Sequence, residues 1–169
     1  MKLIYRVALL SSALLVIAAS GTRADTGFIA HLNGTTESPP NASPATGTCV
    51  MVLNNAQTEL TYNLSFSGLT SAQTAAHFHN DDLANPSPNG AVVRGIGVGS
   101  PISGIWKNTD AQPLTPALVI ELFAGRIYVN VHTSNFPGGE IRGNVVQDPT
   151  PTLNTTWGRV KSLYGDVAN

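Results

Sequence analysis

One cysteine, Cys49, stands in 169 residues, so no internal disulfide can staple the chain. No Cys-x-x-Cys pair, Gly-x-Ser-x-Gly elbow or phosphate-binding glycine loop occurs, which removes three common routes to redox, hydrolytic and nucleotide chemistry. Charge is scarce too, with Asp, Glu, Lys and Arg making up 11% of the residues. A glycosidase needs two carboxylates across a cleft, and nothing in the sequence places Asp81, Asp82 or Glu140 that way. What is abundant is Thr, Ser, Asn, Gly and Pro, the composition of an exported β-protein with many turns.

The one long apolar run is at the start. Lys2 and Arg6 precede Val7–Ala19, which only Ser11 and Ser12 interrupt, and small residues follow up to Thr22-Arg23-Ala24. The run is short for a membrane span, so residues 1–24 are predicted to be a cleaved secretory signal, with an uncleaved anchor as the alternative. The protein is therefore expected outside the cell or in the periplasm, with no stable membrane span after cleavage. About 145 residues remain, enough for one domain over 25–147 and a tail over 148–169. The predicted signal holds three basic residues and no acidic ones. Six basic residues then face ten acidic ones, a net charge of −4 that argues against nucleic acid or anionic membrane as partners.

Strand signals dominate the domain. Phe28, Ala30 and Leu32 alternate with Ile29, His31 and Asn33. Gly47–Leu53 and the alternating Leu60, Tyr62, Leu64 and Phe66 flank a turn at Asn54-Asn55. Thr74–His79, Ala91–Val93, Ser103–Trp106, Ile127–Thr133 and Glu140–Val146 read as further strands. Thr115-Pro116 and Gly125 bracket Ala117–Ala124 as N-cap, first-turn proline and terminator, which predicts a short helix with a buried strand as the alternative. The expected fold is all-β, a Greek-key sandwich or barrel of about 7–8 strands with one short helix. Cys49, in the apolar run Thr48–Val52, is expected to be buried. After Val146, Asp148–Thr152 reads as an extended linker. Trp157, Val160, Leu163 and Tyr164 then share a possible helical face, suited to a tail that docks or frays or to an appended sorting segment.

Three of the four histidines fall in two segments, Ala76-His77-Phe78-His79 and Val129-Asn130-Val131-His132-Thr133. Strand side chains alternate with period two, so if Phe78, Val129 and Val131 face the core, His77, His79 and His132 share the outer face under the loops. That is a plausible imidazole site for copper or zinc. The bland alternative is that the histidines brace the Asn80–Gly90 loop. The second segment turns through Pro137-Gly138-Gly139 into Glu140 and Arg142, which share a strand parity and are candidates for an ion pair.

These blocks carry a family resemblance. Phe28–Gly34 with Glu37-Ser38-Pro39-Pro40, Leu60-Thr61-Tyr62, Ala76–His79, Leu122–Gly125 and Tyr128–Gly143 resemble, in order, the CHRD domain named after chordin. The resemblance covers Phe28 to Val146 and implies an extracellular all-β module with an unknown protein or matrix partner. It implies no settled activity. A second pattern, His-x-His on one strand, a late histidine and a Gly-Gly turn before an arginine, is similar to the copper half of copper/zinc superoxide dismutase. That similarity implies His77, His79 and His132 as copper ligands and Arg142 as the anion-guiding residue of a dismutase. The histidine-rich zinc loop and the dismutase disulfide have no counterpart here, and His31 is the only other histidine, so copper is favoured over zinc. Two functions remain from the sequence: a non-catalytic secreted module that binds copper or a partner, and a copper redox enzyme.

Overall fold

The structure is a computed structural model that describes residues 24–81 and 89–148. All but the last residue of the predicted signal and most of the predicted tail lie outside the described residues, as does Asp82. The strands are β1 (Thr26–Asn33), β2 (Thr46–Leu53), β3 (Glu59–Ser67), β4 (Gln73–Asn80), β5 (Ala91–Gly95), β6 (Ile102–Lys107), β7 (Ile127–Thr133), β8 (Ile141–Asn144) and β9 (Val146–Gln147). Among the described residues one α-helix, α1 (Pro116–Phe123), precedes β7, and a single 3-10 turn over Gly34–Thr36 follows β1. Among the described residues no helix is long and apolar enough to cross a membrane.

The strands form one antiparallel sheet in the order β5-β4-β7-β8-β1-β2-β3-β6, with β9 also pairing to β1. It curls into a nearly closed barrel. β1, β2 and β3 are a simple meander, whereas the neighbours β3–β6, β4–β7 and β8–β1 are joined by longer crossovers. The all-β class is thus what the alternation predicted, and the short helix what its Thr115-Pro116 start and Gly125 stop predicted. The last predicted strand is split at Val145, which turns inward and is fully buried.

Alternation decides what fills the barrel. Phe28, Ala30 and Leu32 from β1, Cys49, Met51 and Leu53 from β2, and Leu60, Tyr62 and Leu64 from β3 all point inward. Phe78 on β4 stacks on Trp106 of β6 at 5.4 Å and meets Tyr62 edge-on at 5.3 Å. These rings tie the two halves of the sheet together across the interior. Cys49 is buried as expected, and burial pushes its thiol up to about 12, so it is an inert apolar filler. Helix α1 starts on the Thr115 cap, whose hydroxyl accepts from the Leu118 N–H, and stops before Gly125 at φ 71°. Val119 and Leu122 turn to the core, and Phe123 packs edge-on to Phe28 at 5.3 Å. The helix therefore packs on the core beside β7 and β9, with Phe123 reaching Phe28 of β1.

Candidate metal centre

β4 and β7 are direct neighbours, in a register that sets Ala75 opposite His132, His77 opposite Asn130 and His79 opposite Tyr128. Ala76, Phe78, Val129 and Val131 are at most 1% exposed and fill the core. Period-two alternation then puts His77, His79, Tyr128, Asn130 and His132 together on the outer face. The parity read from the sequence is the one observed. One nitrogen from each of His77, His79 and His132 lies within 4.8 Å of the others.

The other ring nitrogens define the tautomers. His79 Nδ1 lies 2.8 Å from the Gly90 carbonyl and His132 Nδ1 lies 2.9 Å from the Pro137 carbonyl. A carbonyl only accepts, so both Nδ1 atoms carry hydrogen and both Nε2 atoms present a lone pair in the neutral rings. His77 Nδ1 lies 3.0 Å from His132 Nε2 and therefore donates to it in the neutral cluster. His79 Nε2 is buried without a hydrogen-bond partner. The converging set is thus His77 Nδ1, His79 Nε2 and His132 Nε2. Only the His77 proton must move, to its own Nε2, for all three to face a cation at once.

All three imidazoles are held below the ordinary 6.5 of histidine. Burial is the main cause in each case. For His77, repulsion from protonated His132 and His79 adds to it; for His79 and His132, the Gly90 and Pro137 carbonyls partly oppose it. Neutral rings with free lone pairs are the ligand form that copper or zinc requires.

Two shells of neighbours hold the cluster. The Tyr128 ring stacks on His79 at 4.7 Å and 8°, and Arg142 lies 3.5 Å over the same ring. The register sets Arg142 opposite Asn130 on β8, so its guanidinium reaches diagonally over the Tyr128 ring. Arg142 also pairs with Asp81 at 3.8 Å. The Glu140–Arg142 ion pair considered from the sequence is therefore not how these groups are used. Glu140, fully buried, instead accepts from Ser43 Oγ at 2.7 Å, the Thr70 N–H at 2.8 Å and Thr133 Oγ1 at 2.6 Å. Burial alone would push its carboxyl up; the donors from Thr133, Ser43 and Thr70 outweigh that and hold it below its ordinary value.

The Pro137-Gly138-Gly139 turn has a partner as well. Gly139 adopts φ 133°, and a Cβ there would sit 2.4 Å from Glu37 Oε1. Only glycine lets the turn lie on the Glu37 carboxyl while its Pro137 carbonyl reaches His132. The Asn41 amide binds the same segment through the Glu140 carbonyl at 3.0 Å. The early Glu37–Asn41 loop and the late Pro-Gly-Gly turn are thus two halves of one support. Sequence reasoning saw both segments but had no signal for their contact. It also missed Tyr128 and Asn130, although both share the parity of His132.

The remaining sequence candidates fall elsewhere. His31 is exposed on β1 opposite Thr48 and is not part of the cluster. Asp81, next in sequence after β4, faces Arg142.

A nearly closed antiparallel barrel with a polar cluster on one outer face defines an all-β module. The model of the CHRD domain matches residues 28–145, and the chain belongs to that family. No curated protein matches the sequence.

Proposed function

We propose that this protein is an exported CHRD module that binds one copper ion through His77, His79 and His132. The observation that carries this reading is the pair of backbone locks on His79 and His132. They leave both Nε2 atoms with lone pairs in the cluster, that of His132 3.0 Å from His77 Nδ1. A histidine that merely braced a loop would need one such bond, not a convergent set with a buried free nitrogen. Three imidazoles and no thiolate suit copper(II) or zinc, and the Irving–Williams order favours copper. Export fits both the apolar N-terminal run and the extracellular character of the family.

Binding is better supported than dismutation. An anion guide must be open to the incoming anion, whereas Arg142 stacks on Tyr128 and is paired with Asp81. The test is the electron paramagnetic resonance of the protein loaded with one equivalent of Cu(II). A spectrum with coupling to three imidazole nitrogens is expected, and loss of one of them is expected in His79→Ala. An aqueous-copper spectrum in the wild type would refute the site. Superoxide turnover above that of free copper would restore the catalytic reading.

A further inference from the structure

Asn130 sits in the middle of the three histidines. It is opposite His77 in the β4–β7 register, diagonal to His79 and two residues before His132 on the same strand face. It is 3% exposed, and its Oδ1 is buried without a hydrogen-bond partner. His79 Nε2 is in the same condition. The two side chains are near enough to interact, although neither Asn130 Oδ1 nor His79 Nε2 makes a well-formed hydrogen bond. Because His79 keeps its hydrogen on Nδ1 against Gly90, its Nε2 and Asn130 Oδ1 are both acceptors. Two desolvated acceptors in one place are costly unless something electron-poor lies between them.

Resting on the copper reading above, we propose that Asn130 is the fourth protein donor of the site, so that the ion takes three imidazole nitrogens and the Asn130 amide oxygen. This accounts for a polar side chain buried at the one position of the outer face that neighbours all three histidines. An amide oxygen is a neutral donor, so the site would hold copper(II) without adding a negative charge. The competing account turns the amide over, so that Nδ2–H donates to His79 Nε2 and Asn130 is only a brace.

The two accounts separate in Asn130→Leu and Asn130→Asp, measured with Cu(II) against a competing chelator and by electron paramagnetic resonance. If Asn130 is a donor, Asn130→Leu weakens copper binding by about tenfold or more. Asn130→Asp, nearly isosteric and carrying an anionic oxygen, tightens binding and shifts the copper g and hyperfine values. Should the leucine variant fail to fold, Asn130→Ala takes its place, because the aspartate carboxylate would bind copper under either account and is read only beside a variant that removes the oxygen. Wild-type affinity and spectrum in a folded variant would overturn the assignment of Asn130 while leaving the histidine site standing. Absence of copper binding by the wild type would overturn both.

Discussion

Replacing Glu140 should be the most damaging change outside the apolar core. Its carboxylate accepts three hydrogen bonds of 2.6 to 2.8 Å, from segments far apart in sequence: Ser43, Thr70 and Thr133. Hydrogen bonds to a charged group contribute roughly 1.5–3 kcal/mol each, though three on one carboxylate do not add in full. Glu140→Ala also strands the Thr133 hydroxyl in a fully buried place. The expected cost is about 3–5 kcal/mol, a large share of the stability of a domain this size. Glu140→Gln should cost less, about 1–2 kcal/mol. Its amide oxygen can still take Ser43 and the Thr70 N–H, the two donors that share Oε1. Its NH2 then meets Thr133 Oγ1, which can accept but already accepts from the Phe136 N–H at 3.2 Å. Urea unfolding of the metal-free protein measures both. A Glu140→Ala cost below about 1 kcal/mol, or equal costs for the two variants, would refute the view that this carboxylate ties the loops together. A Thr133→Val/Glu140→Gln cycle should show coupling through the 2.6 Å bond.

Other perturbations test the supports of the site. Gly139→Ala should cost about 2–4 kcal/mol, from its φ of 133° and the collision of the new Cβ with Glu37; a change within about 0.5 kcal/mol in urea unfolding would contradict this. Glu37 is pushed up from 4.5 to about 7 by burial, against the Ser38 N–H and Arg142, which pull it down. Its contribution is therefore full below pH 4.5 and is lost as pH rises through 7, by on the order of 2 kcal/mol once partial hydration is discounted. Glu37→Gln should consequently gain on the wild type by that amount between pH 4.5 and 8 in parallel unfolding titrations, and a constant difference would show that the carboxyl does not titrate there. The three histidines act in the opposite sense: their lowered folded values mean full stability above pH 6.5, lost as pH falls through those values. His77→Ala/His79→Ala/His132→Ala should flatten the acid limb of the metal-free stability curve; an unchanged limb would place the acid sensitivity elsewhere.

How much of this was legible in the sequence depends on which force fixed each group. The shared face of His77, His79 and His132 follows from period-two alternation around Phe78, Val129 and Val131, because burying those apolar residues leaves no other parity. The helix was legible for the same local reason: Thr115, Pro116 and Gly125 are its boundary chemistry. The tautomers were not legible, because they depend on two backbone carbonyls, at Gly90 and Pro137, whose direction is set by loop conformation. Nor was the choice of partners for Glu140 and Arg142. Equal parity made them candidates for each other, but the Ser43 and Thr70 loops reach Glu140 while Asp81 and Tyr128 take Arg142. Such pairings arise between segments tens of residues apart, where periodicity carries no information.

The central claim is that three imidazoles form one copper site, and the most direct measurement is copper stoichiometry and affinity of the purified protein beside His77→Ala/His132→Ala. The account predicts one tightly held copper per chain in the wild type, with binding lost in the variant while its circular dichroism remains that of the β-barrel. Equal copper binding by a folded variant, or no copper binding by the wild type under any loading, would contradict it.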